Sequence, residues 1–313
     1  MGKVAVIGVG RMGARHLASL CKLLGEGQVL AIDEPARLGE RIGNVELNSM
    51  DALFGEQHQI DYVVIAVPTK RHRSVAEIAI NAGCNVVLEK PFTASVSDVV
   101  ALSAMASSKG VSFRPAFVER FNPAIIALSA FLQTDHGLGK MLDWQSRRIG
   151  LAPEVQGDVC DDLGSHDLDL LRFLSGSEIE GVKSEYSPHL DYRHAKISGQ
   201  LANHALFSIL VSYAAPVKER KIEIFFERGA VILDLLRMKA VTFHHESLST
   251  VDWPEFGQAF GGVLPATQEL NVEVHEPLVK MHEALLRRGS LSSSTATSED
   301  GLQMVKALEA ARG

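Results

Sequence analysis

Four aspartates and one histidine crowd into the stretch VCDDLGSHDLDLLRF at positions 159–173. Asp162 and His166 stand four apart, which at a helix start puts both side chains on one face, within reach of one ligand. A histidine so placed can act as a base at neutral pH. It is worth roughly 10²–10⁴ in rate when it takes a hydroxyl proton as hydride leaves carbon. Asp169, three residues on, is positioned to hold the imidazole. The same residues also make an ordinary helix start, with Asp161 or Asp162 as cap and His166 incidental, and the segment alone does not choose. A second candidate is Glu89-Lys90-Pro91, which closes the apolar run NVVL. A lysine there can fix a substrate hydroxyl and stabilise negative charge developing on oxygen. The plainer alternative is a lysine on an exposed strand end, paired with Glu89.

A third group could hold a nucleotide. Gly8-Val9-Gly10-Arg11-Met12-Gly13 is a GxGxxG sequence between the β-branched run KVAVI and a helical pattern. In that setting the first glycine permits a tight turn and the second lets the backbone approach a pyrophosphate at the helix N-terminus. The third allows close helix–strand packing. Asp33 ends the next apolar run and is placed to bind both ribose hydroxyls of an adenosine, which favours NAD. Arg37 nearby keeps NADP as the alternative cofactor.

The elements that must position these residues alternate through the first 120 positions. Strands are expected at 3–9, 28–33, 61–68, 85–91 and 111–117, and helices at 10–24, 51–56, 74–83 and 95–110. The alternation predicts a doubly wound parallel sheet of the Rossmann type. A helix over 123–133 and a strand over 141–150 follow. Strand-like runs then come near 182–188, 194–200, 204–213, 220–226, 230–236 and 240–245 without helices between them. They predict a C-terminal α+β domain with a mostly antiparallel open sheet. The expected divisions are 1–120 for nucleotide binding and 121–288 for substrate binding. A Ser/Thr-rich linker and final helix at 289–313 would pack back on the first domain.

Bulk composition narrows the partners. The 313 residues are 46% hydrophobic and 22% charged, with a net charge of −7, so nucleic acid and anionic membranes are not expected partners. The longest apolar stretch, at 205–217, is too short to span a bilayer, and MGKVAVIGVG does not read as a signal peptide. Cys21, Cys84 and Cys160 are far apart and odd in number, which points to reduced thiols in the cytoplasm and supports neither a disulfide framework nor a metal site.

GVGRMGARH, AVPTKRH (66–72), LEKP (88–91) and DDLGSHDLD (161–169) occur in this order over nearly the whole chain. The set resembles the glucose–fructose oxidoreductase/inositol dehydrogenase (Gfo/Idh/MocA) family. The resemblance implies an NAD(P)-dependent dehydrogenase acting on the CH–OH groups of sugars or polyols, with homodimers or homotetramers built through the C-terminal sheet. Carried over residue by residue, it implies Lys90, Asp162 and His166 as catalytic residues. Gly8, Gly10, Arg11, Met12, Gly13, Asp33, Pro68, Thr69, His72 and Glu89 are implied around the cofactor. FVERFNPAIIAL (117–128) resembles the branch acting at the 3-position of UDP-N-acetylglucosamine, although Ala116 stands where that branch more often carries glycine and histidine. Arg114, Arg120, Arg147 and Arg148 then become candidates for a substrate diphosphate, with Arg120 and Asn122 the substrate-binding residues of choice. A free monosaccharide or polyol is the alternative substrate. A non-catalytic NAD-binding sensor is the alternative of another class.

Overall fold

The structure, a computed structural model, describes residues 2–53, 60–152, 157–244, 266–287 and 294–312. It divides into two compact units. One comprises Met1–Val118 with Glu276–Glu309, and the other Glu119–His275 with Ala310–Gly313.

The first unit is built on a seven-stranded sheet. Its strands are β1 (Lys3–Ile7), β2 (Val29–Ile32), β3 (Arg41–Ile42), β4 (Val45–Asn48), β5 (Ile60–Ile65), β6 (Asn85–Leu88) and β7 (Phe113–Pro115). The spatial order is β3-β4-β2-β1-β5-β6-β7, parallel except for the short β3–β4 pair. Helices α1 (Arg11–Leu24), α2 (His72–Asn81) and α3 (Val96–Lys109) return the chain between strands. Val4, Val6, Val63, Val64 and Val86 are fully buried, as β-branched runs covered on both faces must be. Ser95 caps α3 by accepting the Asp98 N–H, and Gly110 ends it in the left-handed conformation. The β3–β4 hairpin was not foreseen. Of the helix expected over 51–56, a 3₁₀ turn at Met50–Leu53 is present and 54–56 lie outside the described residues.

Two later helices complete this unit, α6 (Pro277–Leu286) and α7 (Ser298–Arg312). The sequence reading assigned the first of them to the substrate domain. It falls in the first unit because His282, on its inner face, is fully buried and bonds His16 of α1 and Tyr62 of β5. Thr297 and Asp300 exchange hydrogen bonds to cap α7, and Leu302 and Val305 pack into the apolar core of the first unit with Phe92.

The second unit carries α4 (Pro123–Leu132), α5 (Ser165–Ser175) and an eight-stranded sheet. The strands are β8 (Met141–Leu151), β9 (Ile179–Tyr186), β10 (His194–Leu201), β11 (Leu206–Ser212), β12 (Ala214–Phe226), β13 (Gly229–Asp234), β14 (Lys239–His244) and β15 (Ala266–Glu269). Their order is β15-β14-β13-β12-β8-β11-β10-β9, antiparallel except where β11 runs parallel to β8. Period-two burial is clean along β13 and β11, where Val231 and Leu233, and Phe207, Ile209 and Val211, all face the core. Strand β15 was not foreseen. Among the described residues no helix is long and apolar enough to cross a membrane.

Candidate active site

In the first unit the glycine sequence builds a cradle. Gly8 leaves β1 with φ of +84°, and a Cβ there would lie 2.7 Å from the Val67 side chain. Gly13 admits no side chain at all, since a Cβ would meet the Gly8 carbonyl oxygen at 1.8 Å. Around Gly10 the space is open, and α1 starts at Arg11 with no side-chain cap, so its first amides stay available to an anion. Asp33 follows β2. Its Oδ2 accepts the Val9 N–H at 2.9 Å and lies 2.7 Å from Arg37 Nη1, while Oδ1 accepts the Glu34 N–H. A cleft of about 620 Å³ joins Gly8, Gly10, Arg11, Met12, Asp33, Pro68, Glu89 and Lys90. Arg37 and Arg71 line it too. Open backbone at an uncapped helix start, with a carboxylate at the adjoining strand end, fits the pyrophosphate and ribose of a dinucleotide.

Two of the expected cofactor residues have a different place. Thr69 opens the short 3₁₀ turn Thr69–Arg71 beside the cleft. His72 does not line the cleft. It is 1% exposed, with Nε2 at 2.9 Å from the Val67 carbonyl oxygen and Nδ1 at 3.3 Å from that of Phe92. The imidazole thus ties the segment after β5 to the segment after Lys90. Glu89 does not offer its carboxylate as a surface partner for a lysine side chain either. Its Oε2 accepts the Lys90 backbone N–H at 3.0 Å, and Oε1 lies 2.8 Å from His16 Nε2.

Burial lowers the pKa of His72, and that of His282 falls well below its ordinary value through burial and the neighbouring His16. Each therefore binds fewer protons folded than unfolded. Their contribution is fully present above the unfolded value of 6.5 and is lost as pH falls below it. The melting temperature of the first unit is expected to drop as pH goes from about 7.5 to about 5 in low-salt buffer. A flat profile over that range would contradict the burial of these rings.

In the second unit the Asp/His segment is a turn of π-helix, Cys160–Gly164, running into α5. Such wide turns recur where a helix must present side chains for function. Asp158 starts it, accepting the Cys160 N–H and the Tyr186 hydroxyl. Burial pushes the Cys160 thiol up to about 12, so it stays protonated and unreactive. Asp161 pairs with Arg312. Asp162 receives the hydroxyl of Tyr213, a partner 51 residues away that sequence reasoning missed. His166 is the second residue of α5 and half-buried.

The arginines are redistributed. Arg120 is 3% exposed, and its Nε and Nη2 both bond the carboxylate of Asp169, with the guanidinium over the Phe173 ring at 4.8 Å. That pair gives Asp169 a guanidinium to hold. Asn122 caps α4 by accepting the Ala124 N–H and donates to the Leu235 carbonyl. Both expected substrate residues are thus used by the fold. Arg148 is buried between Asp167 and Glu119, Arg147 faces Glu219 on the outside of β8, and Arg114 of the first unit donates to the Ala296 carbonyl. Each of the four thus has a partner distant in sequence.

Two family descriptions match the chain. The description "Oxidoreductase family, NAD-binding Rossmann fold" covers residues 2–117, and the C-terminal domain of the same family covers 131–232. The UDP-N-acetylglucosamine 3-dehydrogenase of Acidithiobacillus ferrooxidans is 29% identical over 80% of this chain and 79% of its own length. The scyllo-inositol 2-dehydrogenase (NAD(+)) of Bacillus subtilis is 25% identical over 82% and 81%. The solved structure of the Acidithiobacillus ferrooxidans enzyme superposes with a TM-score of 0.82 at 24% identity, covering 98% of this chain and 96% of that one, and so shares the fold. With its dinucleotide cradle in the first unit and family matches across both, the chain belongs to the Gfo/Idh/MocA oxidoreductases with an NAD-binding Rossmann fold.

Proposed function

We propose that the protein is an NAD-dependent dehydrogenase of secondary hydroxyl groups on sugars, with the 3-hydroxyl of UDP-N-acetylglucosamine as the leading substrate. The observation that carries the reaction class is the cleft of the first unit, where Lys90 lies on the same wall as the dinucleotide cradle. The bound nicotinamide would accept hydride from the carbinol carbon. Lys90 directs its ammonium to the substrate oxygen and stabilises the charge that develops there. His166 takes the hydroxyl proton on an imidazole nitrogen. Asp162, held by the Tyr213 hydroxyl, orients the pair electrostatically. The exposed outer face of the eight-stranded sheet, with Leu206 and Phe225 at its surface, supports self-association into a homodimer or homotetramer.

The choice of UDP-N-acetylglucosamine rests on similarity to the Acidithiobacillus ferrooxidans enzyme. The pairing of Arg120 and Arg148 with buried carboxylates favours a second reading, a free sugar or polyol with no diphosphate, in line with the inositol dehydrogenase relative. Incubation with NAD and each substrate, with a carbonyl trap present, separates the two. A trapped 3-keto nucleotide sugar supports the first, and NADH formation from a polyol alone the second. NADH affinity without turnover on either panel would leave a binding-only sensor.

Asp33 supports NAD over NADP, because its carboxylate matches two ribose hydroxyls and repels a 2′-phosphate. Asp33→Ala is expected to weaken NAD binding roughly 10–100-fold, the worth of one or two hydrogen bonds to a charged group. It also frees Arg37 for a 2′-phosphate, so NADP affinity should rise. Unchanged titrations of both cofactors would remove Asp33 from the site.

A further inference from the structure

We propose that Tyr62, His282, His16 and Glu89 form a buried proton relay through the first unit, by which Glu89 exchanges its proton with a pocket at the far edge of the parallel sheet. The chain of contacts is continuous. Glu89 Oε1 lies 2.8 Å from His16 Nε2, His16 Nδ1 lies 3.0 Å from His282 Nε2, and His282 Nδ1 lies 2.8 Å from the Tyr62 hydroxyl. Both imidazoles are fully buried, and Glu89 and Tyr62 are 5% and 4% exposed.

The two ends open at opposite edges of the sheet. Glu89 lines the cofactor cleft beside Lys90. Tyr62 lines a pocket of about 410 Å³ with Asp61, Asn85, Ser112 and Arg114. Tyr62 is paired in register with Asn85, the first residue of β6, and Glu89 follows the last. The relay therefore runs the length of a strand, about 13 Å at 3.3 Å per residue.

Counting hydrogens gives the relay its property. A neutral imidazole has one N–H and one acceptor nitrogen. With Glu89 ionised and both rings neutral, one arrangement satisfies every contact. Tyr62 donates to His282 Nδ1, His282 Nε2–H donates to His16 Nδ1, and His16 Nε2–H donates to Glu89. One added proton gives a second satisfied arrangement of reversed polarity. Hydronium in the pocket protonates the Tyr62 oxygen and leaves as water, and the former Tyr62 proton moves to His282 Nδ1. The His282 Nε2 proton moves to His16 Nδ1, and the His16 Nε2 proton to Glu89 Oε1. Four bonds to hydrogen break, counting that of the donating hydronium, and four form. The net change is one proton from the pocket to Glu89, or to His16 if its Nε2 proton stays in place. A tie needed only for stability would use apolar side chains, since four buried polar groups bring a desolvation cost that packing does not.

The surroundings fit a single exchangeable proton. Burial raises the Tyr62 hydroxyl well above the ordinary tyrosine range, with Asp61 adding to the effect, so the outer end stays a hydroxyl. His282 resists a charge of its own. The charged groups facing the chain are Asp61 and Arg114 at the pocket end and Lys90 at the cleft end, while Glu276 beside α6 faces Ser19 and Lys22. The proposal rests on the dehydrogenase reading only for its use, which is to set the charge beside Lys90 without opening the cleft.

The test is ¹⁵N NMR of the histidine rings in the full-length protein without cofactor or substrate, so failure of the substrate reading does not touch it. As pH falls, one proton should enter the pair, and His282 should change from the Nε2–H to the Nδ1–H tautomer at the pH where His16 responds. Tyr62→Phe keeps the ring but removes the acceptor of the Nδ1–H form, and should move that change to lower pH. A single His282 tautomer throughout the His16 response would overturn the relay. So would a Tyr62→Phe protein, folded by its melting curve, with an unaltered tautomer change. If Tyr62→Phe does not fold, the wild-type titration alone decides.

Discussion

Replacing His166 with alanine is expected to cut turnover roughly 10²–10⁴-fold while NAD binding persists, because the proposed base acts only once the hydroxyl proton begins to leave. Lys90→Met should act on the same step by another route. It keeps the length of the side chain and removes the charge that meets the developing alkoxide. An interaction made only in the transition state lowers kcat and kcat/KM together, and that is the expected signature of Lys90→Met. The cofactor contacts at Gly8, Gly10 and Asp33 are untouched in either variant, so NADH titrations should match those of the wild type. Full turnover in both variants would remove the proposed site.

The second large effect concerns stability. Asp167→Ala is expected to destabilise the second unit by about 3–5 kcal/mol. The side chains of Arg148 and Asp167 are 4% and 2% exposed, and Glu119, the other partner of Arg148, is 24% exposed. Burial alone would lower the Arg148 pKa, but the charges of Asp167 and Glu119 outweigh it and raise it above the ordinary arginine value. The guanidinium therefore cannot escape by losing its proton when Asp167 is removed. It stays charged in a buried site left with only the partly exposed Glu119. For a unit of this size the loss corresponds to a fall in melting temperature of roughly 6–20 °C. Arg148→Met combined with Asp167→Leu should recover most of it, because replacing a buried pair with apolar groups removes both desolvation costs. A single variant that melts like the wild type would show that the pair carries no net stability.

What the sequence disclosed followed the range of the interactions. The Rossmann half is legible because its strands are buried on both faces and written as unbroken apolar runs, and because GxGxxG depends on neighbours within six positions. Illegible were features set by distant partners. Arg120 and Asp169 are 49 residues apart, and sequence cannot tell an arginine awaiting a phosphate from one already buried against an aspartate. Tyr213 behind Asp162, and His282 behind His16, lie 51 and 266 residues from the groups they bond. The assignment of α6 to the substrate domain failed for the same reason, since nothing within the helix announces that His282 faces residue 16.

The discontinuity of the first unit bears on how the protein is made. Its sheet is complete in the chain by residue 118, yet α6 and α7 belong to the segment from Glu276 onward. At about 5–20 residues per second, a ribosome needs roughly 8–31 s to cross the 157 residues of the intervening segment Glu119–His275. Throughout that interval the nascent sheet lacks the cover of two helices, and the His16 imidazole waits for a neighbour not yet synthesised. The main segment of the second unit, Glu119–His275, emerges in the meantime, and only its last residues, Ala310–Gly313, follow the first unit's helices. The nucleotide half, first to be translated, is then finished only near the end of synthesis, and a helper that shields apolar sheet surface would have its work there.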